Sequence, residues 1–124
     1  MSTYADAHEI PPQQIWDGIV GRSVQGEQST LALLELEANF EVPEHSHPNE
    51  QLGICVEGSL TFTIGGETRE VGPGGTWRIL GNVPHSVVTG PDGAVVVESF
   101  APARADWGGI EQQEPRAPRW PPAP

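Results

Sequence analysis

Three histidines and one amide carry the clearest chemical signal in this chain. His45 and His47 are separated by one residue, Gln51 follows four residues later, and His85 lies far downstream. On a β-strand, side chains two residues apart point to the same face. Two imidazoles on one face, an oxygen ligand nearby and a third imidazole from a distant strand can form a four-ligand metal site. Imidazole plus oxygen ligation suits a divalent Zn, Ni, Mn, Fe or Cu ion.

The elements that must position these residues are predicted to be short strands. The chain of 124 residues is long enough for one domain, and its 15 Gly and 13 Pro favour strands joined by tight turns. Residues 29–38 have good helix propensity but alternate like a strand, and the β-rich surroundings favour a strand. Turns are expected at residues 57–58, 65–66 and 91–93. The predicted strands are residues 15–22, 29–38, 51–56, 59–64, 67–71, 76–80, 83–89 and 94–100.

These strands indicate an all-β, antiparallel sandwich or barrel over residues 15–105. Residues 1–14 are polar and are expected to form an extended or disordered N-terminal arm. Residues 106–124 form a Pro-rich C-terminal tail that is expected to wrap the surface or to be disordered. Val95 and Val97 alternate with Val96 and Glu98, so this strand is apolar on both faces. Burial of its outer face between two copies would explain that pattern, and we expect a homodimer.

Charge and cysteine content exclude several classes of function. The formal charge is −11 and the chain contains no Lys. Binding to nucleic acid or to an anionic membrane is therefore not expected, and Schiff-base chemistry on a lysine is excluded. Cys55 is the single cysteine, so no intramolecular disulfide can form. With no signal peptide and no apolar membrane span visible, we expect a cytoplasmic protein whose partner is a small-molecule substrate.

Two stretches of the sequence resemble the paired motifs of the cupins. Residues 43–51 (PEHSHPNEQ), followed by Gly58, resemble the first motif, and residues 75–85, ending in Val-Pro-His, resemble the second. The resemblance implies a small double-stranded β-helix, or jelly roll, over residues 15–105. It also implies a divalent metal ion (Zn, Ni, Mn or Fe). The implied metal ligands are His45, His47, Gln51 and His85.

Two residues depart from the first cupin motif. Asn39 stands where the motif usually has Gly, and Gln51 stands where it usually has Glu. Strand alternation places Gln51 on the face of the two histidines, whereas Glu50 would become the ligand if a bulge shifted the register. A neutral amide ligand leaves more positive charge on the metal than a carboxylate does, which favours an anionic or oxygen-rich substrate.

A second group of residues follows the last predicted strand. Glu98 lies in an otherwise apolar run, and a buried carboxylate is costly and has a raised pKa unless it is paired. The pattern Glu98-x-Phe100-x-Pro-x-Arg104-x-Asp-aromatic is similar to that of the pectin-degradation (KdgF-type) cupins, which convert ring-form 4,5-unsaturated uronates into linear ketonised sugars. The resemblance implies a metal-dependent sugar-acid enzyme of isomerase or lyase type, with Glu98 and Arg104 catalytic and Phe100 binding substrate. The group usually has Asp where this chain has Glu98, and Glu98 could instead form a structural ion pair with Arg104.

Three other functions fit the same pattern. A polyketide cyclase-type cupin would have a similar metal site in a larger, more apolar cavity. A metal-dependent dioxygenase would use a redox-active ion, and Cys55 shares the alternation of Gln51. A ligand-binding cupin without enzymatic activity would keep the fold and lose the chemistry.

Overall fold

A computed structural model describes residues 3–122 as one antiparallel β-structure. The described residues form eight strands and two short 3₁₀ helices, Ala7–Glu9 and Ala105–Gly109. The strand order is β1-β2-β3-β8-β5-β6, while β4 pairs with β8 and β7 pairs with β5. The all-β antiparallel prediction is confirmed. The strands are β1 (Gln13–Trp16), β2 (Ile19–Gln25), β3 (Thr30–Leu36), β4 (Glu41–His45), β5 (Glu50–Ile64), β6 (Glu67–Val71), β7 (Thr76–Ile79) and β8 (His85–Ala101).

Two long bent strands, β5 and β8, replace four of the predicted short ones. They pair with each other along most of their length, and the register shifts twice, between Cys55 and Glu57 and between Gly58 and Leu60. The predicted turn at residues 57–58 is wrong, because Glu57 and Gly58 stay paired with β8 through a bulge. Residues 91–93 lie inside the continuous strand β8, in a segment that has no register partner. Gly58 has a φ of +77°, and a Cβ on it would lie 2.0 Å from the carbonyl oxygen of Gly93. Only glycine fits this bend.

The first predicted strand is a hairpin. Residues 15–22 were expected to form one edge strand, but β1 and β2 pair across a turn in which Gly18 has a φ of +85°. Because β1 begins at Gln13, two residues of the predicted arm belong to the sheet. The strand prediction for residues 29–38 is confirmed by β3, which pairs with β2 and β8. The division into arm, domain and tail stays a prediction.

The C-terminal tail crosses the outer face of the sheet. The side chain of Arg22 is fully buried there and pairs with Glu35 at 3.1 Å. Arg22 Nη2 also donates to the carbonyl of Arg116 at 2.9 Å, and the backbone N–H of Arg119 donates to Glu35. Of the two alternatives for this tail, these contacts show that its described residues, which end at 122, lie on the surface of the sheet.

The burial of Val95 does not require a second copy of the chain. Val95 is 0% exposed in the single chain, and its register partner Glu35 contacts the tail. The outer face remains apolar and exposed farther along the strands, at Leu31, Leu52 and Ile54. The homodimer stays a prediction. None of the helices in the described residues is long and apolar enough to cross a membrane.

The inner faces of the strands enclose the apolar core. Inward side chains from β2 to β8 pack together with Trp107 of the second 3₁₀ helix. The buried cluster includes Ile19, Ala32, Leu34, Leu36, Val42, Cys55, Leu60, Phe62, Val71, Trp77, Ile79, Val87, Ala94, Val96, Phe100 and Trp107. This shell holds the histidine-bearing ends of β4 and β8 beside each other.

Candidate active site

The three histidines converge at one end of the barrel. His45 is the last residue of β4, His85 is the first of β8, and the two are register partners with ring centroids 4.3 Å apart. His47 lies in the loop between β4 and β5, with its ring 5.8 Å from His45 and 5.0 Å from His85. One ligand atom from each histidine lies within 4.8 Å of the others. Strand alternation was therefore the wrong reason for the convergence of His45 and His47, because His47 is outside the strand.

Backbone contacts set the direction of all three imidazoles. In each ring Nδ1 contacts a main-chain carbonyl, so the Nδ1–H tautomer is favoured and the Nε2 lone pair is available to a metal. Burial lowers the pKa of His47 and His85, with smaller contributions from neighbouring positive groups, and this favours the neutral form of both rings. The Nε2 atom of His85 is buried and has no hydrogen-bond partner in the described part of the chain. The three carbonyls belong to Pro43, Asn49 and Val83, at 2.9, 2.9 and 2.8 Å respectively.

Gln51 adds an oxygen to this cluster. Its Oε1 lies 3.1 Å from Nε2 of His47, whose Nδ1 already contacts a carbonyl oxygen. With a neutral ring, two lone-pair atoms therefore face each other, an arrangement that a bound cation stabilises. Glu50, the alternative ligand, is exposed on the opposite side of β5. Three imidazole nitrogens and one amide oxygen thus fit a divalent metal ion.

Glu98 lies directly behind Gln51 and is 5% exposed. Its Oε2 accepts hydrogen bonds from Nε2 of Gln51 at 2.5 Å and from Nε1 of Trp77 at 2.7 Å. Burial raises the pKa of Glu98, and these two hydrogen bonds oppose that rise. Trp77 was missed by the sequence reasoning, since a single Trp on a short strand gives no sign of a polar contact across the sheet.

Arg104 borders the same cavity and does not bond to Glu98. Its Nε and Nη2 donate to the two carboxylate oxygens of Asp106 at 3.0 and 2.8 Å. Its guanidinium carbon lies 5.1 Å from the ring centroid of Phe100 and 4.9 Å from that of Trp107, at cation–π distance. The hydrogen bonds from Arg104 lower the pKa of Asp106. Arg104 is therefore held as a fixed cation beside the histidines.

These groups surround a cavity of about 310 Å³ that has one polar end. His45, His47, Gln51, His85, Glu98 and Arg104 line that end. Trp16 stands beside His45 with ring centroids 5.4 Å apart and is 39% exposed. The rest of the wall is apolar and consists mainly of Ile15, Ile19, Leu34, Leu36, Val42, Leu60, Phe62, Val87, Val96 and Phe100.

Cys55 does not contribute to this polar end. It is buried, and its thiol contacts the carbonyl oxygen of Glu57 at 3.3 Å. Burial raises the pKa of the thiol, which keeps it protonated and unreactive. Cys55 acts as a small packing residue here, and no observation favours the dioxygenase alternative.

Comparisons with known proteins agree with this architecture. The pectin degradation protein KdgF of Dickeya dadantii (strain 3937) is 27% identical over 109 residues, which cover 86% of this chain and 99% of that protein. The solved structure of KdgF from Halomonas sp. superimposes with a TM-score of 0.78 at 21% identity, covering 86% of this chain and 98% of that one. The polyketide cyclase RemF from Streptomyces resistomycificus gives a TM-score of 0.70 at 25% identity, covering 82% and 80%.

The family assignment follows from the part of the chain that carries the site. The cupin domain family matches residues 32–100, a range that includes all four predicted ligands and stops one residue before the end of β8. His85 lies in the same range, so all the histidines of the cluster are covered. With its antiparallel jelly-roll strands and its histidine cluster at one end, the chain belongs to the cupin family.

Proposed function

We propose that this cupin opens the ring of 4,5-unsaturated uronates and ketonises the product, with the help of a divalent metal ion. The observation that carries the proposal is the position of Arg104, a fixed cation in the same cavity as the three-histidine cluster. A uronate needs both a cation for its carboxylate and a polarising group near its ring. The relationship to a pectin degradation protein supports this substrate class.

Arg104 is the proposed binding group for the substrate carboxylate. Asp106 occupies Nε and Nη2 of the guanidinium, whereas Nη1 takes part in neither of these bonds. A guanidinium has five N–H donors, so hydrogens on Nη1 and Nη2 remain for a second carboxylate. Phe100, which lies beneath Arg104, would pack against the apolar face of the sugar.

Glu98 is the proposed group that moves the proton. A cation held by His45, His47, Gln51 and His85 would supply Lewis-acid polarisation of a substrate oxygen. Glu98 Oε1 receives neither of the hydrogen bonds that hold Oε2, and it is the atom assigned to carry the proton during ring opening and ketonisation. Burial raises the pKa of Glu98, which favours a role for this carboxyl group in proton transfer.

The direct test is the ultraviolet absorbance of fresh 4,5-unsaturated galacturonate, which disappears as the conjugated double bond is lost. Purified protein of known metal content should accelerate this loss above the spontaneous rate, and His85→Ala should abolish the acceleration. Glu98→Gln should retain metal and lose rate, because the amide keeps an acceptor oxygen for Gln51 and Trp77 and cannot carry the proton. Absence of acceleration by the metal-loaded protein would refute the proposed reaction.

One observation favours a second candidate function. The cavity wall beyond the polar end is almost entirely apolar, which suits the poly-keto chain of a polyketide cyclase better than a single sugar ring. The structural similarity to the polyketide cyclase RemF points the same way. Quenching of tryptophan fluorescence by a polycyclic phenol, without competition from galacturonate, would favour this alternative.

A further inference from the structure

We propose that Glu98 and Trp77 are positioning residues that hold the amide of Gln51 with its oxygen toward the histidine cluster. This inference rests on the metal site of the proposed function and is independent of the substrate. Trp77 lies on β7 and does not line the cavity that the histidines line. The inference gives it a role in orienting the proposed ligand Gln51.

The contact between Trp77 and Glu98 depends on a glycine. Trp77 on β7, Gly53 on β5 and Glu98 on β8 lie in one row of register partners, with Gly53 in the middle. A Cβ on Gly53 would lie 2.4 Å from the indole of Trp77. The indole therefore lies across Gly53 and reaches Glu98 on the second strand over, at 2.7 Å.

The amide direction of Gln51 follows from its two neighbours. Glu98 Oε2 is an acceptor, so the nitrogen of the amide faces it and the oxygen faces His47. A reversed amide would place its oxygen against the carboxylate and its N–H₂ against the metal position. The indole N–H of Trp77 fixes Oε2 from the other side. Trp77 and Glu98 thus act on the proposed metal through Gln51, as outer partners of metal ligands commonly do.

This arrangement also explains the departure of this chain from the usual glutamate. A carboxylate at position 51 could not donate to Glu98, and two carboxylates would then face each other at hydrogen-bond distance. An amide has both an acceptor and a donor, so Gln51 can face a cation on one side and a carboxylate on the other. The buried Glu98 and the ligand Gln51 are therefore one coupled feature.

The test measures the affinity for Co²⁺ alone, by chelator competition, together with the visible absorption of the bound ion. Loss of outer partners typically weakens metal binding by about 10–100-fold. Glu98→Leu removes the acceptor and should weaken Co²⁺ binding by at least about tenfold, whereas Glu98→Gln keeps an acceptor oxygen and should change it by less than about threefold. Trp77→Phe keeps a ring against Phe62 and removes the N–H, so it should give an intermediate loss.

The spectrum separates ligand orientation from a general loss of structure. If Gln51 leaves the ion, the Co²⁺ spectrum of Glu98→Leu should match that of Gln51→Ala. Ile79→Val is the matched control, because Ile79 is buried on the same strand as Trp77 and makes no polar side-chain contact. It should lower thermal stability and leave the Co²⁺ affinity and spectrum unchanged. If Glu98→Leu does not fold, Trp77→Phe and Gly53→Ala, which displaces the indole, provide the same comparison.

Two outcomes would overturn the inference in distinguishable ways. If the wild type does not bind Co²⁺, or if His85→Ala binds it equally well, the metal site itself is wrong and the positioning role falls with it. If His85→Ala loses Co²⁺ while Trp77→Phe and Glu98→Leu keep wild-type affinity and spectrum, the metal site stands and the positioning role is refuted.

Discussion

Metal binding should stabilise this protein against heat, and His85→Ala should remove that effect. His85 contributes a buried Nε2 atom that has no hydrogen-bond partner among residues 3–122. An unpaired buried polar atom costs about 1–3 kcal/mol. The alanine variant loses the ring packing against His45 and His47 but also loses this cost. The metal-free wild type and the metal-free variant should therefore have free energies of unfolding within about 1 kcal/mol of each other.

The metal changes this comparison. A ligand that binds only the folded state at about 100 times its Kd adds about 2.7 kcal/mol to the free energy of unfolding. For a domain of this size, 1 kcal/mol corresponds to a shift in Tm of about 4 °C. The wild type should therefore gain about 11 °C in Tm when the metal is added at that excess. The variant, which lacks one of three imidazoles, should gain little.

Differential scanning calorimetry of four samples measures the effect: wild type and His85→Ala, each with chelator and with Zn²⁺. The quantity of interest is the difference between the two metal-induced shifts, because it cancels the effect of the substitution on the metal-free fold. His8→Ala is a matched control, since His8 lies on the N-terminal 3₁₀ helix away from the cavity. Equal metal-induced shifts in wild type and His85→Ala would refute the ligand role of His85.

Three further predictions concern the surroundings of the site. Glu35→Leu should lower the free energy of unfolding by about 3 kcal/mol, measured by urea denaturation, because it leaves the buried Arg22 without its partner; a change near zero would contradict this ion pair. Gly58→Ala should destabilise far more than Gly66→Ala in the same assay: both positions have positive φ, which costs about 1–2 kcal/mol for alanine, but only the first also meets a backbone oxygen of β8. Asp106→Asn should raise KM for unsaturated galacturonate and leave kcat nearly unchanged. Arg104 lowers the pKa of Asp106, so Asp106 stays ionised at and above the ordinary pKa of an aspartate. The KM of the wild type should therefore be insensitive to this group in that range, and should rise only when the pH falls through the lowered pKa of Asp106. Measurement of KM over a pH series tests both statements.

The sequence predicts the sheet better than it predicts the bends of the sheet. Alternation locates the strand segments that become β3, β5, β6 and β8, since one face of each must meet the core. Turn-forming residue types also predict turns at residues 57–58 and 91–93, where Gly58 and Gly93 have positive φ values of 77° and 69°. Those glycines allow bulges inside continuous strands, because the partner strand keeps its hydrogen bonds on both sides of the bend. Local residue types alone do not distinguish such a bulge from a turn.

The two departures from the cupin motif show what a single sequence can and cannot reveal. Asn39 has a φ of 52°, in the left-handed region that glycine adopts freely, and asparagine is one of the few other residues that adopt it readily. That substitution is intelligible from local backbone preference. The presence of Gln51 instead of glutamate cannot be explained from local backbone preference. The explanation lies on other strands, in the acceptor Glu98 and in Trp77, which donates to Glu98. The proposed ligand Gln51 is hydrogen-bonded to Glu98, and Glu98 to Trp77. These three side chains lie on three different strands, and the register of those strands brings them together.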